Sequence, residues 1–148
     1  MGNFKGLPTY SKTFIFNKLD AMVGNNAFKE VLQGFSPIEV NILEYEQAKG
    51  SNIAPHFDDF WIWGERIIGV NLLSDSVLKY SRPDGDARVI EVPIPRRSLY
   101  LMSAASRNVW QHGIDEDDIH GRRLVVTVRE LTPEFFDFEK QPMGYELK

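Results

Sequence analysis

The sequence predicts a mainly β chain, a two-sheet jelly roll or barrel preceded by one helical segment. Three observations predict it. Short apolar or alternating runs of strand length recur from Pro37 onward at roughly 8–12 residue spacing, as in all-β sandwiches and barrels rather than βαβ units. A helical period occurs in one place, near the N-terminus. Turn-forming clusters separate the apolar runs, and Arg82-Pro83-Asp84-Gly85-Asp86 is the strongest hairpin signal among them.

The elements follow in order. Ser11 to Asn17 reads as a strand with Phe14 and Phe16 on one face. Leu19 to Phe35 reads as the helix, because Leu19, Met22, Val23, Phe28, Val31 and Leu32 fall near helical spacing and Gly34 sits at the end. Gly24-Asn25-Asn26 allows it to divide into two pieces. Ile38 to Glu46 alternates as a half-buried strand does, and Ala48 to Asn52 is a turn. Arg66 to Leu73 is more continuously apolar, as expected of a strand buried on both faces. Val77 to Tyr80, Ala87 to Ile94, Ser98 to Met102, Asn108 to Gln111 and Arg122 to Glu130 complete the strands, about nine in all. The tail after Leu131 carries Phe135, Phe136 and Phe138, which suit packing back on the sheet.

With 148 residues the chain suits one domain spanning 1–148. Hydrophobic residues at 43% and charged residues at 26% exclude a disordered or collagen-like chain. No apolar run approaches the ~18–20 residues that cross a bilayer. Met1 to Tyr10 lack the apolar segment of a secretory signal, so an intracellular chain, cytoplasmic or nuclear, is expected. There is no cysteine, which removes disulfides, thiolate metal sites and Cys nucleophiles and leaves His, Asp and Glu as metal ligands. The net charge of −4 argues against extended non-specific DNA binding as the main activity, since phosphate contacts demand a basic face.

Few residues can do chemistry. On a strand His56 and Asp58 share a side, so an imidazole nitrogen and a carboxylate oxygen can meet at one point. A second histidine from a distant strand would complete a 2-His-1-carboxylate facial triad with three open positions, typical of non-heme Fe(II) oxygenases. His112, in Trp110-Gln111-His112-Gly113-Ile114, is preferred over His120, which sits in the acidic run Asp115-Glu116-Asp117-Asp118. The plain alternative is a loop histidine beside a solvated aspartate. Arg123 and Arg129, six apart on one apolar strand, share a face, whereas Arg122 points away. Inward-facing arginines require anions. Those anions are either carboxylates of neighbouring strands or the two ends of a bound dicarboxylic acid, which guanidinium groups grip bidentately.

Taken as an ordered set, His56-x-Asp58, His112-Gly113-Ile114 and Arg123-x5-Arg129 resemble the AlkB-type Fe(II)/2-oxoglutarate dioxygenases over about Ile38 to Glu130. The block Pro55-His56-Phe57-Asp58-Asp59-Phe60-Trp61-Ile62-Trp63-Gly64-Glu65-Arg66, followed by Val70-Asn71-Leu72-Leu73-Ser74, looks most like the alkB homologue 4 branch. The resemblance implies a double-stranded β-helix (jelly-roll) core over about 38–131. It implies Fe(II) on His56, Asp58 and His112, with 2-oxoglutarate and O2 as cosubstrates. Arg129 would face the C1 end of 2-oxoglutarate and Arg123 the C5 carboxylate, with Tyr45 adding a hydroxyl. Two positions depart from the family pattern: Leu43 stands where many members have Asn two before that Tyr, and Val125 where many carry a polar residue.

The implied activity is oxidative demethylation of an N-methyl group, releasing formaldehyde, succinate and CO2. A methylated lysine of an actin-like protein is the expected substrate, with actomyosin components as possible partners and a monomeric state. N6-methyladenine in DNA is the alternative within the family, and a non-catalytic jelly-roll scaffold the alternative outside catalysis. Asp59, Trp61 and Trp63 are substrate candidates. Alternation puts both tryptophans on one face and Phe60 on the other, where they can hold a methylated ammonium by cation–π contact, stack on a base, or serve as plain core.

Overall fold

The protein is described by a computed structural model covering residues 26–137. The strand expected at Ser11–Asn17, the first part of the helix expected from Leu19, and Phe138 lie outside the described residues. Helix α1 spans Asn26–Leu32. Eight strands follow: β1 Pro37–Glu46, β2 Ile53–His56, β3 Trp63–Leu72, β4 Ser76–Ser81, β5 Val89–Ile94, β6 Ser98–Met102, β7 Gln111–Ile114 and β8 Arg122–Leu131. A one-turn helix, α2, covers Ala105–Asn108 between β6 and β7. No described helix is long and apolar enough to cross a membrane.

The strands form two four-stranded sheets, ordered β1-β8-β3-β6 and β2-β7-β4-β5. All the pairings are antiparallel. The expected jelly roll is therefore present. The Arg82–Asp86 turn closes a hairpin in which Ser81 faces Val89. Strand β3 is apolar on both faces because both are covered. Ile67 joins the core between the sheets with Leu78, Tyr80, Ile94, Met102, Ile114 and Ile119. Its neighbour Ile68 packs with Val128 on the opposite face, beneath Leu32 and Phe35. Tyr100 of β6 lies flat over Gly69 of β3, where any Cβ would overlap its ring.

Arg66 fixes α1 to this sheet. Its Nη1 donates to the carbonyls of Val31 (2.9 Å) and Gln33 (2.8 Å), satisfying acceptors that a helix end leaves unpaired. Its other edge grips Glu130 at 2.7 and 2.6 Å. Gly34, at φ 71°, takes the left-handed conformation that ends the helix.

Three sequence expectations are corrected. Asn108–Gln111 is not a strand: the chain enters it through α2, and pairing begins at Gln111. Trp61 and Trp63 do not share a strand face, because β3 starts at Trp63 and Trp61 lies in the preceding turn. The strand expected over Ala87–Ile94 starts at Val89, and β5 is an edge strand, with Val89, Ile90 and Val92 exposed and Ile94 alone in the core.

Candidate metal centre

Strands β2 and β7 pair so that His56 stands opposite His112, and their rings lie 4.3 Å apart between centroids. Register thus joins two histidines 56 positions apart in sequence. Asp58 is not on the strand with His56. β2 ends at His56, and the aspartate follows in the loop. Two arginines hold it there. Arg129 Nη2 meets Asp58 Oδ1 at 2.7 Å, and Arg107 Nη1 donates to the Asp58 carbonyl at 3.0 Å. One ligand atom from each of His56, Asp58 and His112 lies within 4.8 Å of the others.

The donor set fits a divalent cation. The His56 Nδ1 lies 2.8 Å from the Ala54 carbonyl, which accepts its N–H and turns the Nε2 edge of the ring toward a ligand. Burial pushes the His112 pKa down to about 4, with the neighbouring His56 adding to the shift, so its imidazole is neutral at ordinary pH. Its Nε2 stands 3.5 Å from Asp58 Oδ2. Two imidazoles and one carboxylate are the facial set that suits Fe(II).

A cavity opens beside this centre. His56, Asp58 and His112 line it together with Tyr45, Tyr100, Arg123, Thr127 and Arg129. The two arginines differ in one respect. Arg129 has carboxylates on both sides, Asp58 and Glu39, the latter at 2.8 Å, and it lies over the Trp63 ring. Arg123 has no carboxylate partner among the described residues. It is fully buried, its Nε donates to the Asn71 side-chain oxygen at 2.8 Å, and its Nη1 has no partner. Its guanidinium lies over the Tyr45 ring, 5.4 Å from the centroid. Burial raises the Tyr45 and Tyr100 hydroxyls, so both remain neutral donors. Arg122 points outward to Glu44.

No protein-family model matches the chain. It is 34% identical to mouse alpha-ketoglutarate-dependent dioxygenase alkB homologue 4 over 177 aligned positions, covering 99% of this chain and 56% of that protein. It is 37% identical over 132 positions to a Caenorhabditis elegans protein named DNA N6-methyl adenine demethylase, covering 89% of this chain and 43% of the relative. The chain belongs to the AlkB family. It spans about half the length of these relatives. The solved structure of OsALKBH1 shares the AlkB fold with it, at TM-score 0.57 and 18% identity over 78% of this chain and 64% of that one.

Within this AlkB fold, six residues singled out from sequence converge on one cavity: Tyr45, His56, Asp58, His112, Arg123 and Arg129. The substrate candidates are elsewhere. Trp61 is 55% exposed and stacks near Phe135, and Trp63 sits against Arg129. Asp59 is exposed, and its carbonyl accepts the Trp63 N–H that closes the turn. His120 is exposed in its loop. The acidic run is partly engaged, because Lys79 binds Asp115 at 2.7 Å and Asp118 at 2.8 Å.

Sequence reasoning missed Glu39, Asn71, Tyr100 and Arg107. Asn71 carries a signal, as the one amide in an otherwise apolar run. Arg107, 3% exposed, donates to the carbonyls of Asp58, Trp63 and Gly64 and lies over the Phe60 ring, so it clamps the whole ligand-bearing turn. Nothing in its local sequence announces that role.

Proposed function

We propose that this chain carries out Fe(II)- and 2-oxoglutarate-dependent oxidative demethylation of an N-methyl group. The observation that carries the reading is Arg123: a buried guanidinium without a carboxylate, in the cavity that also holds the His56, Asp58 and His112 donors. A buried cation of this kind is costly until an anion reaches it. The relatives' printed names supply the anion, 2-oxoglutarate.

The residues divide the work. His56, Asp58 and His112 hold Fe(II). Arg123 pairs with the C5 carboxylate, and the Tyr45 ring forms the wall beneath it. Arg129 orients Asp58 and faces the C1 end. Arg107 keeps the Asp58 turn in place by gripping its carbonyls. The apolar lining of Leu43, Ile67, Leu78, Met102 and Ile114 excludes bulk water from the centre. When bound, the iron supplies O2 activation with the 2-oxo acid as reductant, so that an N-methyl group is hydroxylated and leaves as formaldehyde.

A methylated lysine of an actin-like protein is the substrate we favour, supported by the resemblance to alkB homologue 4 and the net charge of −4. A second reading, N6-methyladenine in DNA, is supported by the name of the Caenorhabditis elegans relative. The test is anaerobic titration of the Fe(II)-loaded chain with 2-oxoglutarate, followed by formaldehyde release from a methyl-lysine peptide and an N6-methyladenine oligonucleotide. A visible charge-transfer band that needs Asp58 and Arg129 is expected, with release from the peptide. Iron binding without a band would leave a scaffold, and release from the oligonucleotide alone would transfer the assignment to DNA.

A further inference from the structure

We propose that Asn71 is the positioning residue for Arg123, and that its neutral amide sets the preference for a 2-oxo acid carrying a second, distal carboxylate. The inference rests on the cosubstrate reading above. Asn71 sits in the interior of β3 with no exposed surface. Its Nδ2 donates to three carbonyls: Ser74 at 2.8 Å, Ile94 at 2.8 Å and Pro95 at 3.1 Å. The Ser74 and Pro95 carbonyls belong to the β3–β4 and β5–β6 turns and the Ile94 carbonyl to the end of β5; Leu73 at φ 72° and Arg97 at φ 65° take the left-handed conformation in those turns. The Arg97 N–H returns to the Asn71 carbonyl at 2.7 Å.

This surrounding fixes which end of the amide points where. Three acceptors can face only the NH2, so the side-chain oxygen must face Arg123 Nε, 2.8 Å away. Asn71 thereby keys the guanidinium at Nε, the Tyr100 hydroxyl is a second hydrogen-bond partner, and Nη1 remains buried with no partner. The acceptor is an amide, not a carboxylate. An aspartate here would set a carboxylate oxygen against those three carbonyls, and its charge would neutralise Arg123 from behind and remove the demand for an incoming anion. The amide orients the cation and leaves its charge for the ligand. Arg129, by contrast, is already held by Glu39 and Asp58. The distal anchor is therefore the one whose charge is kept in reserve.

The test compares 2-oxoglutarate with 2-oxobutyrate, which lacks the distal carboxylate. Both are titrated calorimetrically into the Mn(II)-loaded chain, as wild type, Asn71→Asp and Asn71→Ser, with thermal melting as the check on folding. Wild type should favour 2-oxoglutarate by about 100-fold, as a desolvated charge pair supplies. Both variants should lower that ratio by about tenfold or more through the 2-oxoglutarate Kd, with the 2-oxobutyrate and Mn(II) affinities within about twofold of wild type. Equal loss of both acids, or an unchanged ratio, would make Asn71 a structural residue and overturn the inference. Failure of both variants to fold would overturn it in the same way. A wild type that does not distinguish the two acids would instead sink the cosubstrate reading itself.

Discussion

Replacing Arg123 by Met should separate the cost of a buried charge from its use. The side chain is fully buried, hydrogen-bonds Asn71 through Nε and the Tyr100 hydroxyl through its guanidinium, and leaves Nη1 unpaired. Exchanging buried charge for an apolar side chain of similar volume is neutral or stabilising by about 1–4 kcal/mol. Against that, the Asn71 oxygen loses its donor, which costs about 1–3 kcal/mol. The two nearly cancel, so the ligand-free variant should unfold within about 2 kcal/mol of wild type. Binding should not cancel. Removing one partner of a buried charge pair costs about 2–5 kcal/mol, so a loss of about 2.7 kcal/mol, or 100-fold in Kd, is a fair expectation. At a 2-oxoglutarate concentration of about 100 Kd, wild type gains about 2.7 kcal/mol, whereas the variant gains about 0.4 kcal/mol. For a chain of this length, each kcal/mol moves the melting temperature by about 2–4 °C. The shift in the Mn(II)-loaded protein should therefore fall from about 5–11 °C to about 1–2 °C. A ligand-free variant that melts more than 4 kcal/mol below wild type, or one that keeps the full ligand shift, would refute the reasoning.

Three further outcomes follow from particular contacts. Asp58→Ala should weaken Mn(II) affinity by more than about 100-fold in a calorimetric titration, because it removes a ligand rather than a supporting group; unchanged affinity would place the ion elsewhere. Gly69→Ala should destabilise by about 1–3 kcal/mol in urea, since its methyl overlaps the Tyr100 ring, and an unchanged midpoint would show that the ring moves freely. The metal-free protein should lose stability on acidification. His112 titrates near 4 when folded and at its ordinary 6.5 when unfolded, so the unfolded chain takes up the proton first. Stability should be flat above about pH 7 and fall between about 6.5 and 4, by up to about 3 kcal/mol. Urea midpoints at several pH values would show this, and His112→Gln should remove most of the slope.

The site was legible where residue identity and strand period agree. His56 and His112 could be paired because each side chain is chemically distinctive, and antiparallel register then placed them opposite one another. Arg123 and Arg129 followed from period two along a single long strand. Strand alternation points to Asp58, but the fold does not use it: the place of Asp58 comes from Arg107 and Arg129. The Trp61–Trp63 expectation failed because alternation means nothing in a turn. Helix α2 was illegible locally, since Ala104 enters it at φ 48° and Arg107 is held by carbonyls more than 40 residues away. Asn71 was visible as an oddity, but its partner Arg123 lies 52 positions on, and no local pattern joins them.

The pairing of β1 with β8 bears on how the chain is synthesised. The first described strand is zipped to the last along almost its whole length, from Pro37 opposite Glu130 to Glu46 opposite Arg122. β3, too, reaches completion only against β8. A ribosome releasing residues in order leaves both strands with bare edges until roughly residue 131 has emerged. Asp58 waits for Arg129 over the same interval. Such long-range closure is slow and exposes unpaired strand edges while it proceeds. A stalled or prematurely terminated chain would lack its central strand, and would be a substrate for chaperones and proteases rather than a smaller working enzyme.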